Sequence, residues 1–207
     1  MRGQLGSRPG TRESRSARSN LEDRRWKHLP DLEGVVEDDF LYRMYSGATI
    51  LAFRVREPEL VVVPRINDKL VDGRNPAMDA YPGLAGWWRT AESRWEKHKS
   101  ARSTLSLLDR VDFQRGLQRQ FPIAARRVVY TTSGQYLAAC LIDDPVAVID
   151  TSLYWAAVGS LHEGRYLTAI LNSEALLQRV RPLQSRGEHN PRHFHLLPMD
   201  VAIAAFG

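Results

Sequence analysis

The most regular pattern of hydrophobic and polar positions lies near the end of the chain. Apolar residues recur there at helical spacing, namely Leu167, Ile170, Leu171, Leu177 and Val180. This stripe predicts a helix over residues 161–181, and Pro182 is expected to end it. Ser160 and Glu163 have the spacing of a capping box, so the helix should begin directly after Ser160.

Two further helices and five strands are predicted upstream. The helices cover residues 84–102, which carry three tryptophans, and residues 104–120, which precede Pro122. Runs of β-branched and aromatic residues predict strands over 48–53, 59–63, 126–132, 135–142 and 146–150. Ser133-Gly134 has the composition of a two-residue hairpin turn. Together these elements predict an α+β fold with a mixed sheet, a hairpin and several helices.

Composition divides the chain into two parts. Hydrophobic residues make up 43% of the 207 positions and charged residues 26%, which is typical of a globular domain. Residues 1–20 are instead rich in Arg, Ser and Gly, and they cannot bury enough apolar surface to offset the entropy lost on ordering. We therefore expect a disordered basic tail over residues 1–25 and a single domain over residues 26–207.

The charge is unevenly distributed along the sequence. Residues 1–27 hold eight basic and three acidic side chains, which accounts for the whole net charge of +5. The rest is balanced overall, yet residues 86–127 hold ten basic side chains against four acidic ones, while residues 31–39 hold five acidic ones. A basic band on a neutral domain suits a polyanionic partner. A solvated helix face gives the same pattern and stays open as the competing interpretation.

Several kinds of chemistry are missing. Cys140 is the only cysteine, there is no G-x-G, Walker A or G-x-S-x-G motif, and His189, His193 and His195 lack further metal ligands. The longest apolar run covers residues 137–142, far short of the roughly 20 residues of a membrane span. No secretory signal is recognisable at the start. We expect no metal, no membrane partner, no independent catalysis and a cytoplasmic location.

Six segments, taken in their order and spacing, resemble one family. They are residues 32–37 (LEGVVE), 45–54 (YSGATILAFR), 127–139 (RVVYTTSGQYLAA), 154–156 (YWA), 166–173 (YLTAILNS) and 184–187 (QSRG) followed by Pro191-Arg192. The chain is similar over about residues 26–206 to the C-terminal target-recognition region of N6-adenine DNA methyltransferases of the Taq-like and type IIG restriction–modification kind. The ILNS helix followed by Gly and Pro-Arg also resembles type I specificity subunits.

The resemblance implies a DNA-recognition segment without its catalytic domain. Such methyltransferases hold the flipped adenine with an Asn/Asp-Pro-Pro-aromatic motif, and here Asn75-Pro76-Ala77-Met78 and Asn190-Pro191-Arg192-His193 both lack the second proline and the aromatic residue. We expect no cofactor on this chain, S-adenosylmethionine only on a separate catalytic domain, and no methyl transfer by the chain alone. The family usually continues beyond the segment matching residues 197–206, so a C-terminally truncated fragment is expected.

The implied partners are double-stranded DNA and a separately encoded methyltransferase subunit. Lys and Arg would contact phosphates, while Arg forks and Gln amides would read guanine and adenine edges. The candidate DNA-binding residues are Arg94, Lys97, Lys99, Arg126, Arg127, Tyr130, Ser133, Gln135, Gln184, Arg186, His189 and Arg192.

Competing hypotheses stay open for the hairpin and for the chain as a whole. In the hairpin, Arg126 and Arg127 would pair with Asp143 or Asp144 instead of contacting DNA. The whole chain would be a protein–protein module, a decayed remnant that no longer binds DNA, or an enzyme of unrecognised type.

Overall fold

The structure is a computed structural model, and it describes residues 10–17, 23–132 and 137–180. The chain divides into two compact units. The first unit comprises Met1–Tyr42 and Leu60–Arg119, and the second comprises Arg43–Glu59 and Gln120–Gly207. Residues 43–59 belong with a part of the chain more than 60 positions away, and this long-range link leaves no signature in local composition.

The fold is α+β, as the sequence predicts. The strands are β1 Thr11–Arg15, β2 Glu33–Glu37, β3 Leu41–Tyr45, β4 Ile50–Leu51, β5 Arg54–Val55, β6 Glu59–Val62, β7 Arg65–Ile66, β8 Lys69–Leu70, β9 Arg126–Thr131, β10 Ala139–Asp143, β11 Ala147–Ile149 and β12 Leu153–Ala157. The helices are α1 Arg24–Lys27, α2 Pro82–His98, α3 Leu107–Val111, α4 Leu161–Leu171 and α5 Glu174–Val180. Short 3-10 helices cover Asp38–Phe40, Pro76–Ala80, Phe113–Arg115 and Gln118–Gln120.

The first unit is built around α2. This helix packs against β2, which pairs antiparallel with β1. The apolar face of α2 contributes Leu84, Ala85 and Trp88 to a buried cluster that also contains Phe40 and Met78. The Trp88 indole N–H donates to the Glu92 carboxylate at 2.8 Å, so its only polar group is satisfied.

Glu37 links β2 to the start of α2. Its carboxylate accepts hydrogen bonds from the N–H groups of Gly83 at 2.9 Å and Leu84 at 2.7 Å. A helix leaves its first N–H groups without internal partners, and its dipole favours a negative charge at this end. A Cβ at Gly83 would lie 2.6 Å from the carbonyl oxygen of Val35, so this approach requires glycine.

Part of the segment expected to be a disordered tail forms β1. The ladder places Thr11 opposite Glu37 and Arg15 opposite Glu33. Arg12 contacts Asp38 at 3.7 Å, and Arg15 donates to Asp31 at 2.6 Å. The basic start of the chain therefore pairs with the acidic stretch of residues 31–39. Composition missed this strand because main-chain hydrogen bonds and opposite charges hold it, rather than apolar side chains of its own.

The helix predicted over residues 104–120 is broken. Only α3 and two short 3-10 helices form, and Gln114 and Arg115 have φ of 53° and 60°. The Asp112 carboxylate accepts hydrogen bonds from the N–H groups of Leu117 at 2.9 Å and Gln118 at 2.8 Å. Those two donors would bond to carbonyl groups one turn back in a continuous helix. Asp112 therefore stabilises a break in the helix, because its carboxylate takes backbone N–H groups that helical hydrogen bonds would otherwise use.

The second unit contains a three-stranded antiparallel sheet in the order β10-β9-β12. The predicted pairing of residues 126–132 with 135–142 is confirmed, with Val129 opposite Cys140, whereas the turn at Ser133-Gly134 lies outside the described residues. The sequence pattern does not predict β12. Helix α4 packs on β9 and β10, and a Cβ at Gly164 would lie 2.6 Å from the Leu141 side chain.

Beside this sheet, β11 pairs in parallel with the end of β3, so the strands are mixed in direction. Val129, Cys140, Ile142, Ile149 and Leu153 form the main core of the second unit. The helix predicted over residues 161–181 is divided into α4 and α5 at Asn172. Ser160 caps it as predicted by accepting from the Glu163 N–H at 3.1 Å, whereas the Glu163 carboxylate accepts from Gly159 instead of Ser160.

Candidate nucleic-acid interface

The predicted DNA-contacting residues fall into three sets. Arg94, Lys97 and Lys99 lie on or directly after α2 in the first unit, and Arg126, Arg127 and Tyr130 lie on β9 in the second. The remaining six lie outside the described residues, and their role stays a prediction: Ser133, Gln135, Gln184, Arg186, His189 and Arg192.

Arg127 is a buried structural residue. It is 0% exposed, and its Nη2 donates to the carbonyl oxygens of Asp144 at 2.9 Å and Ala147 at 2.7 Å. Burial lowers its pKa, and the nearby Asp144 carboxylate opposes that shift. A fully buried side chain cannot contact a DNA duplex. The structure therefore corrects the expectation that Arg127 contacts DNA.

Arg126 forms an ion pair within the same hairpin. Its Nε lies 3.2 Å from Oδ1 of Asp143, the residue directly opposite in the ladder. The competing hypothesis that Arg126 and Arg127 pair with Asp143 or Asp144 is thus confirmed for Arg126. Arg127 donates to the main-chain carbonyl oxygen of Asp144 rather than to its carboxylate. The Asp144 carboxylate pairs with Arg43 at 2.8 Å.

Arg94 on α2 and Lys99 directly after it both donate hydrogen bonds to main-chain carbonyl groups of the first unit. Arg94 donates from Nη1 to Pro30 at 2.6 Å and from Nη2 to Asp31 at 3.3 Å. Lys99 donates to the carbonyl oxygen of Leu105 at 3.1 Å and pairs with Glu96. These hydrogen bonds fix the end of α2 to the main chain of the segments before β2 and before α3. They leave Lys97 as the exposed member of the predicted set.

Five exposed cations remain close together in the sequence, and we call them the exposed basic segment. None of them forms an ion pair with any residue that the structure describes. They are Lys97, Arg102, Arg110, Arg115 and Arg119. All five belong to the basic band seen in the sequence, but only Lys97 was predicted to contact DNA. The sequence does not reveal which basic side chains have hydrogen-bond or ion-pair partners in the fold.

The two carboxylates within this segment do not neutralise it. Asp109 accepts from the Ser106 hydroxyl and N–H, and these hydrogen bonds are the main reason that its pKa is lowered. Asp112 accepts from two backbone N–H groups. The five cations of the segment thus outnumber the two carboxylates among residues 97–119, with Lys99 left out of the count because it pairs with Glu96.

A cleft of about 710 Å³ adjoins this segment within the first unit. Leu70, Leu105 and Leu108 supply apolar lining, while Asp109 and Arg115 supply charge. Three lining residues have left-handed backbone, namely Asp68, Gln114 and Arg115 with φ of 65°, 53° and 60°. Non-glycine residues adopt this conformation at a cost, and such positions are concentrated at functional sites.

Aromatic side chains in both units are mostly engaged in packing. Tyr130 contacts Tyr154 on β12 with ring centroids 5.3 Å apart, and burial, followed by Tyr154, raises the pKa of Tyr130 to about 12. Trp95 stacks on Trp26 at 5.7 Å and donates its indole N–H to Leu105. Tyr130 is only half-buried, so it is the described β9 residue from the predicted set that keeps some aromatic surface exposed.

Sites of other classes lack their defining features among the described residues. No three His, Cys, Asp or Glu side chains converge there to hold a metal ion. Burial raises the pKa of the Cys140 thiol to about 12, so this cysteine is not set up as a nucleophile. No described helix combines the length and the apolar character required to cross a bilayer. Comparison with protein-family models and with curated proteins gave no match for this chain.

Proposed function

We propose that this chain binds double-stranded DNA and serves as a target-recognition segment for a separately encoded adenine methyltransferase. The observation that carries DNA binding is the exposed basic segment. Its five cations have no carboxylate partners among the described residues, although three other basic residues of the same unit, Arg89, Arg94 and Lys99, have partners. Cations left unpaired beside paired ones are available for phosphate groups.

The proposal assigns these cations to the DNA backbone rather than to bases. Arg102 follows α2, Arg110 lies on α3, and Arg115 and Arg119 lie in two separate 3-10 helices. Four different local structures thus supply charge at short intervals along the chain. Phosphate contacts of this kind fix register and orientation without carrying sequence information.

Base reading is assigned to the second unit. The segments that resemble target-recognition regions include most of β9, part of β12, the hairpin β4–β5 and much of α4, all of which lie in this unit. Tyr130, Ser133 and Gln135 on the β9–β10 hairpin, with Gln184, Arg186, His189 and Arg192, remain the proposed readers. Methyl transfer, S-adenosylmethionine and the flipped adenine belong to the separate catalytic chain, and the proposed site of action is the cytoplasm.

The test is equilibrium binding of the full chain to a fluorescent duplex of about 30 base pairs over a salt titration. We expect binding that weakens steeply with salt, with a slope of about −0.9 per phosphate contact. Absence of duplex binding at low salt would contradict the proposal and favour a protein–protein module. Deleting residues 1–25 is not a clean control because it removes β1, so Arg2→Ala with Arg8→Ala is the better probe of the basic start. This pair should weaken binding to all duplex sequences equally.

A further inference from the structure

The hairpin β4–β5 in the second unit ends in an exposed apolar tip. Its two-residue turn is Ala52-Phe53, and Phe53 is 60% exposed. Leu51 is 43% exposed and stands directly opposite Arg54 in the ladder, so both side chains project from one face next to Phe53. Exposed apolar side chains that are grouped in this way, unlike single scattered ones, mark interaction sites.

Phe53 also has a backbone conformation that does not suit it. Its φ is 65°, in the left-handed region that Asn and Gly adopt easily and that bulky residues avoid. A turn at this position would be more stable with Asn or Gly. The strained and exposed phenylalanine therefore contributes little to folding, and the observation points to a role in binding.

The tip is nevertheless held firmly. The Phe53 N–H donates to the carbonyl oxygen of Ala139 at 2.9 Å, and the Arg56 N–H donates to Thr49 at 2.7 Å. The same Ala139 carbonyl accepts from Asn172 Nδ2 at 2.8 Å. The hairpin is thus fixed to the first residue of β10 and, through it, to the end of α4. Rigid support of this kind is what an inserted side chain requires.

Charge identifies the class of partner. The hairpin carries Arg54 and Arg56, both exposed without an ion pair to any described residue, and the exposed carboxylates of Glu57 and Glu59 follow only after the hairpin ends. An apolar tip flanked by unpaired cations is complementary to a duplex, in which stacked bases lie between two rows of phosphates. Proteins that insert Phe or Leu between base steps use this combination, since the cations hold the backbone while the apolar group separates the bases.

We propose that Phe53 is a wedge that enters the duplex between two base pairs, with Arg54 and Arg56 on the adjoining phosphates. This inference rests on the proposed DNA binding and adds to it a mode of contact. The wedge would unstack one base step and bend the duplex, and either deformation makes recognition sensitive to how easily that step opens.

The test uses the full chain and a duplex that carries 2-aminopurine at several dispersed adenine positions, because this base fluoresces more strongly when unstacked. We expect saturating wild-type protein to raise the fluorescence at least about twofold. The variant Phe53→Asn should leave the fluorescence at the level of the duplex alone and weaken binding by about fivefold to twentyfold. Since Asn accepts the left-handed backbone, the variant should unfold at the same temperature as wild type or higher, which separates loss of the wedge from loss of the fold.

Val146→Asn is the matched control, because Val146 is a 52% exposed apolar residue of the same unit that lies outside the segments resembling target-recognition regions. It should behave like wild type. Duplex binding without a fluorescence rise, or a rise that Phe53→Asn retains or Val146→Asn loses, would overturn the wedge and leave DNA binding intact. Absence of duplex binding would overturn both proposals. Loss of binding to anionic phospholipid vesicles by Phe53→Asn, with duplex unstacking unchanged, would assign the tip to a membrane surface instead.

Discussion

Asn172 and Ala139 form two reciprocal hydrogen bonds across the second unit. Oδ1 of Asn172 accepts from the Ala139 N–H at 3.0 Å, and Nδ2 donates to the Ala139 carbonyl at 2.8 Å. The same Nδ2 donates to the Thr168 carbonyl at 2.9 Å, where α4 ends. One amide side chain therefore ends a helix, fixes the first residue of β10 and supports the β4–β5 hairpin that bonds to Ala139.

Replacing Asn172 should destabilise the second unit. Asn172→Ala leaves the Ala139 N–H without its acceptor, and we expect a loss of about 1–3 kcal/mol in the free energy of unfolding. Urea unfolding measures it. Gln178→Ala on α5 removes an exposed amide whose one side-chain partner among the described residues is Glu174, and it should cost no more than about 0.5 kcal/mol. Equal losses for the two variants would show that the Asn172 hydrogen bonds do not matter.

The two glycines of α2 provide a matched pair of opposite sign. Gly83→Ala places a Cβ against the Val35 carbonyl oxygen and the Glu37 carboxylate, and should destabilise the protein by about 1–3 kcal/mol. Gly86→Ala meets nothing within 4 Å and should stabilise it by about 0.5–1 kcal/mol, since Ala is the better helix former. Thermal unfolding of both variants checks this. A stable Gly83→Ala protein would contradict the close approach of β2 to the start of α2.

Arg127 should affect stability. Arg127→Ala leaves the Asp144 and Ala147 carbonyls without their donor and opens a cavity beneath β9, so we expect a loss of about 2–4 kcal/mol. Arg127→Met keeps much of the volume and removes a buried charge, so it should cost less than the Ala variant. Chemical denaturation ranks the two. If Arg127→Ala were as stable as wild type but bound DNA more weakly, the buried structural role would be contradicted and a DNA contact by Arg127 favoured.

Alkaline pH should destabilise the second unit, because burial opposes ionisation of the Cys140 thiol and of the half-buried Tyr130 hydroxyl. Burial raises the pKa of Cys140 from its ordinary 9.0 to about 12 and that of Tyr130 from 10.0 to about 12. The unfolded chain ionises first, so stability is complete below pH 9 and falls as the pH rises towards 12. The greatest slope is about 1.4 kcal/mol per pH unit for each group.

Urea unfolding at pH 8.5, 9.5 and 10.5 tests this pH dependence, with Cys140→Ala as the comparison. The variant should lose stability less steeply than wild type between the two lower values, where Tyr130 contributes little. An identical slope for the two proteins over that interval would show that Cys140 is accessible to solvent.

Local signals in the sequence were sufficient for part of the fold. The stripe of α4 and its Ser160 cap, the tryptophan-bearing α2 and the β9–β10 pairing depend on neighbours a few positions apart, so a periodic pattern reveals them. The strand β1 depends on acidic residues some 20 positions away. The interruption after α3 depends on the hydrogen bonds that the Asp112 carboxylate accepts from backbone N–H groups. Neither effect leaves a periodic signature.

The candidate site was harder to predict for the same reason. Arg94, Lys97 and Lys99 look alike in sequence, yet the fold directs Arg94 and Lys99 to carbonyl groups and leaves Lys97 exposed. The sequence suggests that Arg127 is a surface cation, whereas in the structure it is buried and donates to carbonyl groups of the turn that follows β10. The sequence pattern predicts one strand over residues 48–53, and only the backbone conformation and exposure of Phe53 reveal an apolar tip there.

DNA binding by the exposed basic segment is tested most directly by two charge-matched double variants. Lys97→Ala with Arg102→Ala removes two cations of the segment, whereas Arg74→Ala with Arg165→Ala removes two exposed cations outside it that also form no ion pair with any described residue. Duplex affinity is measured for wild type and both variants between 50 and 200 mM salt, the range being about that over which counterion release is evident. We predict that the first variant flattens the salt slope by about 1–2 and weakens binding to every duplex alike, while the second matches wild type. Equal effects of the two variants, or no effect of the first, would contradict the placement of DNA on this segment.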